Sequence, residues 1–380
     1  MDRHQILETL HQRCGIPGIE LADTLVTCKT VTLSRTDLEK VRQAIRGLWW
    51  WHQTRQIKYL ESAPEVARHQ PGNASIMMSV DFHPSPEGLK LIEINTNAAG
   101  LLLFSCISEC TGHPMELESP LEEELVRSIK EEWSDFGSPR PLQRIAIIDE
   151  NPKDQFFYPE FLLAQKLLKE KGYQCEILDA RELCWDGSSL FGGSFESIDL
   201  VYNRTTDFYL QNLEALREAY LNKAICLTPH PQEYHLSALK DRLIDLATDQ
   251  SPDRTNDFRQ LQSMIPRTWR LTDWINETGA SKAARKRVFF KPRNSFGGKA
   301  VYRGESISNK VFESLDPANY LVQEYVPAPE IEFGAEGRFK YDLRFYFYKD
   351  RLQGYGARIY RGQVTNLREP GAGFASVEMA

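Results

Sequence analysis

Apolar and polar positions recur at helical spacing over residues 37–56, behind an Arg35-Thr36-Asp37 start that can cap a first turn, so residues 1–70 read as mostly helical. Trp49, Trp50 and Trp51 are consecutive and cannot share one helical face; one or two belong in the core and the third at an edge or domain contact, with base stacking the less favoured use. The spacing then switches to that of strands. Residues 75–83 and 89–95 flank the turn-rich 84–88 and read as a hairpin. A polar stretch, 112–120, and a helix over Leu121–Phe136 lead to a linker at 138–143. From Arg144 strands alternate with helices: strands at 144–150, 173–179 and 198–204, helices at 158–171 and 212–221. That alternation predicts a parallel sheet covered on both faces. Residues 139–228 therefore read as a small Rossmann-like domain, without the G-x-G-x-x-G turn that would make it a dinucleotide site. The last third carries a helix at 239–247, strands within 288–302 and at 320–326, and a long antiparallel region at 340–362. There is no internal repeat.

Candidate chemistry falls at four places. Lys291 is delivered by an apolar strand and followed by a loop containing Gly297, Gly298 and Lys299. Consecutive glycines let backbone N–H groups approach an anion and the lysines add charge, which suits a polyphosphate; Gly-Gly is also an ordinary hairpin turn. The strand 320–326 places Gln323 and Glu324 in its middle, either as one solvated face or as an edge able to read an adenine. On the hairpin, Glu93 and Asn95 are two apart and share a face, and the turn brings Asp81 opposite them. Three oxygen ligands of this kind suit magnesium, though a polar hairpin end has the same look. Asp342 and Arg344 share a strand face, followed by Arg358 and Asn366; the arginines can hold a phosphoryl group or an anionic substrate, or form cross-strand ion pairs.

Composition narrows the classes. The 380 residues are 41% hydrophobic and 26% charged with ordinary Gly and Pro usage, which excludes collagen-like and low-complexity chains and leaves a globular protein of two or three domains. A formal charge of −7 argues against a polyanion as main partner, so no nucleic acid is expected, while a local basic pocket stays open. The longest apolar runs, such as 101–104, fall far short of the roughly 20 residues a bilayer requires, and no membrane partner is expected. The first residues lack the pattern of a secretory signal, so the expected compartment is the cytoplasm. Seven scattered cysteines, with no Cys-x-x-Cys pair, read as reduced structural thiols.

Taken in order, Lys240, Lys291-Pro292, Gly297-Gly298, Gln323-Glu324, Asp342-Leu343-Arg344, Arg358 and Asn366 resemble the nucleotide half of the ATP-grasp ligases. Residues 80–100 resemble that family's closing metal hairpin, including a gap of twelve between Asp81 and Glu93, but stand first in this chain. A circularly permuted arrangement of this kind resembles the eukaryotic-type glutathione synthetase branch, to which residues 199–229 are also similar. The resemblance implies an α/β (α+β) ATP-grasp fold in permuted order, with an inserted Rossmann-like parallel-sheet domain and an N-terminal helical segment. Its expected parts are a helical segment 1–70, a metal-hairpin portion 71–138, a Rossmann-like substrate domain 139–229 and an ATP-binding portion 230–380. The hairpin is then expected beside the 340–376 sheet.

The same resemblance implies ATP and magnesium as cofactors. Asp81, Glu93 and Asn95 would hold the metal, Lys240, Lys291 and Lys299 the phosphates, and Gly297 and Gly298 the loop over the γ-phosphate. Gln323, Glu324, Tyr325 and Val326 would form the adenine edge. Arg358 and Arg344 would steady an acyl phosphate, with Arg204 and Asn366 on the substrate side. Two departures matter. Ser295 stands where glutathione-type enzymes carry an acid, making Asp342 the candidate stand-in, and Ala98, Ala99 and Gly100 replace serines expected for dipeptide binding. The expected activity is an ADP-forming carboxylate–amine ligase other than glutathione synthesis, acting on small-molecule acids and amines such as amino acids, peptides or polyamines, with a homodimer as a further expectation. The alternatives are a kinase on the same fold and a catalytically silent nucleotide-binding or interaction module.

Overall fold

The computed structural model describes residues 2–14, 21–22, 24–293 and 300–380, so Gly297, Gly298 and Lys299 lie outside the described residues. Its centre is a seven-stranded sheet. With strands numbered in chain order, β1 (Val26–Leu33), β17 (Gly373–Met379), β16 (Arg351–Tyr360), β15 (Arg338–Tyr348), β2 (Met78–Ser85) and β3 (Gly88–Asn95) lie side by side in that order. The short β14 (Glu330–Glu332) pairs with the start of β15. Only the β1–β17 pairing is parallel. The hairpin therefore lies beside the 338–379 strands, despite their separation in sequence.

The helical reading of residues 1–70 holds for Arg3–Cys14, Arg35–Leu60 and Glu65–Arg68 but misses β1. Its Val26, Thr27, Thr30, Val31 and Thr32 are β-branched and favour a strand. The partner that completes it, β17, comes from the other end of the chain. The long helix Arg35–Leu60 starts at the expected Arg35, and its cap is Ser34 just before it, whose side chain accepts from the Asp37 N–H. Its buried stripe, Leu38, Val41, Ile45 and Leu48, packs with Val80, Phe82, Leu343, Phe345 and Phe347 of the sheet. Trp51 is buried with its Nε1 on Asp249, Trp50 packs on Phe258, and Trp49 stacks on His52 at the edge.

The opposite sheet face carries the helix Leu101–Thr111, whose apolar residues share one core with Tyr346 and Tyr348 of β15 and with the helix Tyr158–Glu170. A helix buried against two partners has little use for a polar face, which explains the 101–104 run. Gly100 starts it at φ +106, where a Cβ would also strike the Phe374 ring at 2.7 Å. The buried Glu160 carboxylate accepts from Leu102 N and Leu103 N, both at 3.0 Å, and so caps this helix from a neighbouring element.

The Rossmann-like sheet is fully parallel in the order β5 (Gln174–Asp179), β4 (Arg144–Asp149), β8 (Leu200–Asn203), β9 (Cys226–Thr228). A two-stranded ribbon, β6 (Cys184–Trp185) and β7 (Leu190–Phe191), borders it in sequence. The last sheet is antiparallel, in the order β10 (Thr268–Arg270), β13 (Tyr320–Glu324), β11 (Val288–Pro292), β12 (Tyr302–Arg303). The expected helix at 239–247 starts at Asp241, because Tyr234–Ala238 form a π-turn that places Lys240 at the junction. Among the described residues no helix is long and apolar enough to cross a membrane. Cys28, Cys106, Cys110, Cys175, Cys184 and Cys226 are free thiols.

Candidate active site

Strand register assembles the first wall of a cleft of about 220 Å³. Across the sheet, Glu93 on β3 lies opposite Asp81 on β2, which lies opposite Arg344 on β15; Asp342 on β15 lies opposite Arg358 on β16. The β2–β3 register shifts between Asp81 and Phe82, so Ile92 is the extra residue of a bulge. Its carbonyl accepts from Lys291 Nζ at 3.3 Å, tying the bulge to the second wall.

That second wall is the small sheet. Phe289 of β11 pairs with Gln323 of β13, and Lys291 stands two residues along from Phe289, so the three share one face and line the cleft while Phe290 and Val322 pack into the core behind. Lys291 Nζ donates to Gln323 Oε1 at 2.6 Å. Gln323 Nε2 is buried with no hydrogen-bond partner, a donor that costs free energy until something polar meets it. Lys240 is buried on the floor with its Nζ 3.4 Å from Glu93 Oε1. Burial pulls the Lys291 ammonium down to about 8, with Lys240 adding to the fall and Glu93 opposing it.

Two arginines and two aspartates interlock beneath. Arg344 grips Asp81 with two bonds of 2.7 Å, and Arg358 donates to Asp81 Oδ2 at 2.9 Å and to Asp342 at 2.6 and 2.9 Å. Thr365 Oγ1 completes Asp342 at 2.6 Å, and Asn95 Nδ2 donates to Asp81 at 3.2 Å. Burial alone would push the Asp81 carboxyl up, but Arg344 and Arg358 outweigh it and hold the group well below its ordinary range.

Asp81, a metal ligand in the three-ligand reading, already accepts from both guanidinium groups and from Asn95 in this network. Asp342, the candidate stand-in for the acid missing at Ser295, is committed in the same way. Glu93 and Asn95 Oδ1 remain, and among the described residues no group of three or more His, Cys, Asp or Glu is arranged to hold a metal. Magnesium keeps several waters and shares its sphere with substrate phosphates, so one carboxylate and one carboxamide oxygen fit it. The unpartnered Gln323 Nε2, in the same cleft as Lys240 and Lys291, fits a nucleotide there.

Of the other predicted residues, Glu324 and Val326 line the cleft, while Tyr325 is not among its lining and instead bonds Arg303 through its hydroxyl at 2.8 Å. Asn366 is also outside the lining; its side chain bonds Glu369 at 3.2 Å, and the neighbouring Gln363, Val364 and Thr365 line the cleft in its place. Arg204 lies apart, buried, with Nη2 on Asn97 O at 3.4 Å; its Nε and Asn97 Oδ1 are both buried without partners. His83 and Thr365 escaped the sequence reading. His83 carried a signal, since it stands two residues beyond Asp81 on one strand and so shares its face, but a lone histidine there names no chemistry.

Residues 219–366 match the Tubulin-tyrosine ligase family. No curated protein matches by sequence. A solved structure of a glutathione synthetase like-effector from Globodera pallida, in apoform, aligns over 100% of this chain and 98% of its own with a TM-score of 0.59 at 13% identity. A putative gamma-glutamylcysteine synthetase from Methylobacillus flagellatus KT covers 90% of this chain and 88% of its own at 14% identity and a TM-score of 0.49. An ATP-grasp ligase solved with a minimal precursor, magnesium and ADP covers 62% of this chain and 88% of its own at 15% identity and a TM-score of 0.30. The fold is of the ATP-grasp type, on its likeness to the glutathione synthetase like-effector. At such low identity that likeness speaks to the fold alone.

Proposed function

We propose that the protein is an ADP-forming carboxylate–amine ligase that uses ATP and magnesium. One observation carries the reading: a buried, unpartnered Gln323 donor opens into the same cleft as Lys240, Lys291, Glu93 and Asn95. The base of ATP would lie along 323–326 and its phosphates between the two lysines. Glu93 and Asn95 would hold magnesium, which when bound neutralises phosphate charge. A substrate carboxylate attacks the γ-phosphorus and the bond to the β-phosphate oxygen breaks, releasing ADP. An amine then attacks the acyl carbon, phosphate leaves, and the amine proton passes to solvent or phosphate. A carboxylate is already an anion, so the first step needs no general base, in keeping with a site rich in Lys and Arg. Arg344 and Arg358, pre-set by Asp81 and Asp342, would face the charge developing on the transferring group.

The buried, unpartnered Arg204 Nε and Asn97 Oδ1 support a polar substrate on the Rossmann-like side, such as an amino acid, a peptide or a polyamine. Ala98, Ala99 and Gly100 support a product other than glutathione. The test is ADP release from ATP and magnesium across panels of acids and amines, with mass spectrometry of the product. Amine-dependent ADP release with an amide product is expected. A phosphorylated product that persists in the presence of amines would identify a kinase instead, and failure to bind ATP would remove the reading.

A further inference from the structure

One contact between the two walls of the cleft is made by a side chain that the ligase reading does not use. His83, on β2 of the large sheet, lines the cleft, and its Nδ1 lies 2.9 Å from the carbonyl oxygen of Val326 on the opposite wall. A carbonyl can only accept, so Nδ1 carries the proton and donates. Residues 324–326 are the backbone that leaves the small sheet along the cleft. Their first two amides are pinned to that sheet: Glu324 N donates to Arg267 O and Tyr325 N to Arg287 O, both at 2.8 Å. The Val326 carbonyl is pinned from the other side, by His83. The segment thus has its direction set by both walls.

We propose that His83 is a positioning residue for nucleotide selection, holding the 324–326 backbone in the orientation that presents its edge to the base. This rests on the nucleotide reading of the cleft. A planar base is told from another by donors and acceptors along one edge, so a backbone free to rotate about Val326 would lose discrimination as well as affinity. His83 touches no reacting atom; it acts through Val326.

The experiment is calorimetric titration of the full chain with ATP and with GTP, each with magnesium, for wild type and for His83→Ala, His83→Gln and His83→Asn. The Asn amide nitrogen can take the place of Nδ1, whereas that of Gln substitutes for Nε2. Loss of one neutral positioning bond corresponds to about two- to tenfold in affinity. His83→Ala and His83→Gln are expected to lose that much for ATP and to shrink the ATP-over-GTP ratio, and His83→Asn to stay within about twofold of wild type on both by the same reasoning. A purely structural role would lower the melting temperature and leave the ratio alone. The proposal is overturned if Ala and Gln variants keep the wild-type ratio, if Asn loses as much as Ala, or if wild type binds both nucleotides alike. Wild type binding neither nucleotide removes the ligase reading and this inference together; wild type binding ATP beside unchanged variants overturns only the role of His83.

Discussion

Lys291 offers a prediction that can be worked to a number. Burial brings its ammonium down to about 8 in the free protein, with Lys240 nearby contributing. From that value the group is about 90% charged at pH 7 and about 10% charged at pH 9. A triphosphate beside Nζ favours the charged form and would keep it protonated throughout that range. Binding above pH 8 then requires proton uptake, so ATP affinity should fall about tenfold between pH 7 and pH 9, or about 1.4 kcal/mol. The free protein should respond in the opposite sense. Its folded-state value lies below that of the unfolded chain, which binds more protons between the two, so stability rises with pH above about 8. Solvent in the cleft screens this gain to roughly 1–2 kcal/mol. The assay is ATP titration at half-unit pH steps, for wild type and Lys291→Arg, whose guanidinium stays charged. Wild type should show the slope and the Arg variant should be flat. A flat wild-type profile, or an equal slope in both proteins, would refute the reasoning.

Three further outcomes are expected. Asp81→Asn leaves Arg344 and Arg358 with a single buried counter-charge, and denaturant unfolding should show a loss of about 3–5 kcal/mol with no metal added; a loss under about 1 kcal/mol would contradict the interlocked network. Gln323→Glu removes the unpartnered donor and sets a carboxylate against Lys291, so the melting temperature should hold or rise while ATP affinity falls at least about tenfold; unchanged affinity would rule the amide out of nucleotide binding. Glu132 is fully buried, and burial pushes its carboxyl up to about 7 against hydrogen bonds from Asn73, Thr228 and Tyr348. The native state therefore holds the proton through a window in which the unfolded chain has lost it, so stability should fall by roughly 3 kcal/mol as pH rises from about 4.5 to 7, and Glu132→Gln should flatten that slope in denaturant titrations.

The hairpin shows how far local pattern reaches. Two alternating runs around Pro84–Gly88 are enough to predict β2 and β3 and to place Glu93 and Asn95 on one face. The same pattern says nothing of the guanidinium groups that claim Asp81, because Arg344 and Arg358 come from strands at the far end of the chain. The bulge at Ile92 was equally hidden, since an extra residue in one strand is defined only by its partner's register. β1 is the reverse case: its β-branched residues signal a strand, but reading it as one requires the parallel edge that β17 provides.

What the amino-acid order determined by itself is the set of elements and the identity of the polar groups: an antiparallel region, a parallel α/β unit, two lysines, a Glu-x-Asn pair and two arginines at strand spacing. Local propensity and side-chain period act within a few residues, so they are legible from the chain alone. Tertiary structure decided which of those groups are spent on one another and which stay available. Asp81 and Asp342 went to the arginines, Asn366 to Glu369, and His83 to the carbonyl of Val326, while Gln323 Nε2 was left buried and unpartnered. Hydrogen bonds and ion pairs depend on distances of a few ångströms between residues remote in sequence, and only the packing of the two walls against each other sets those distances.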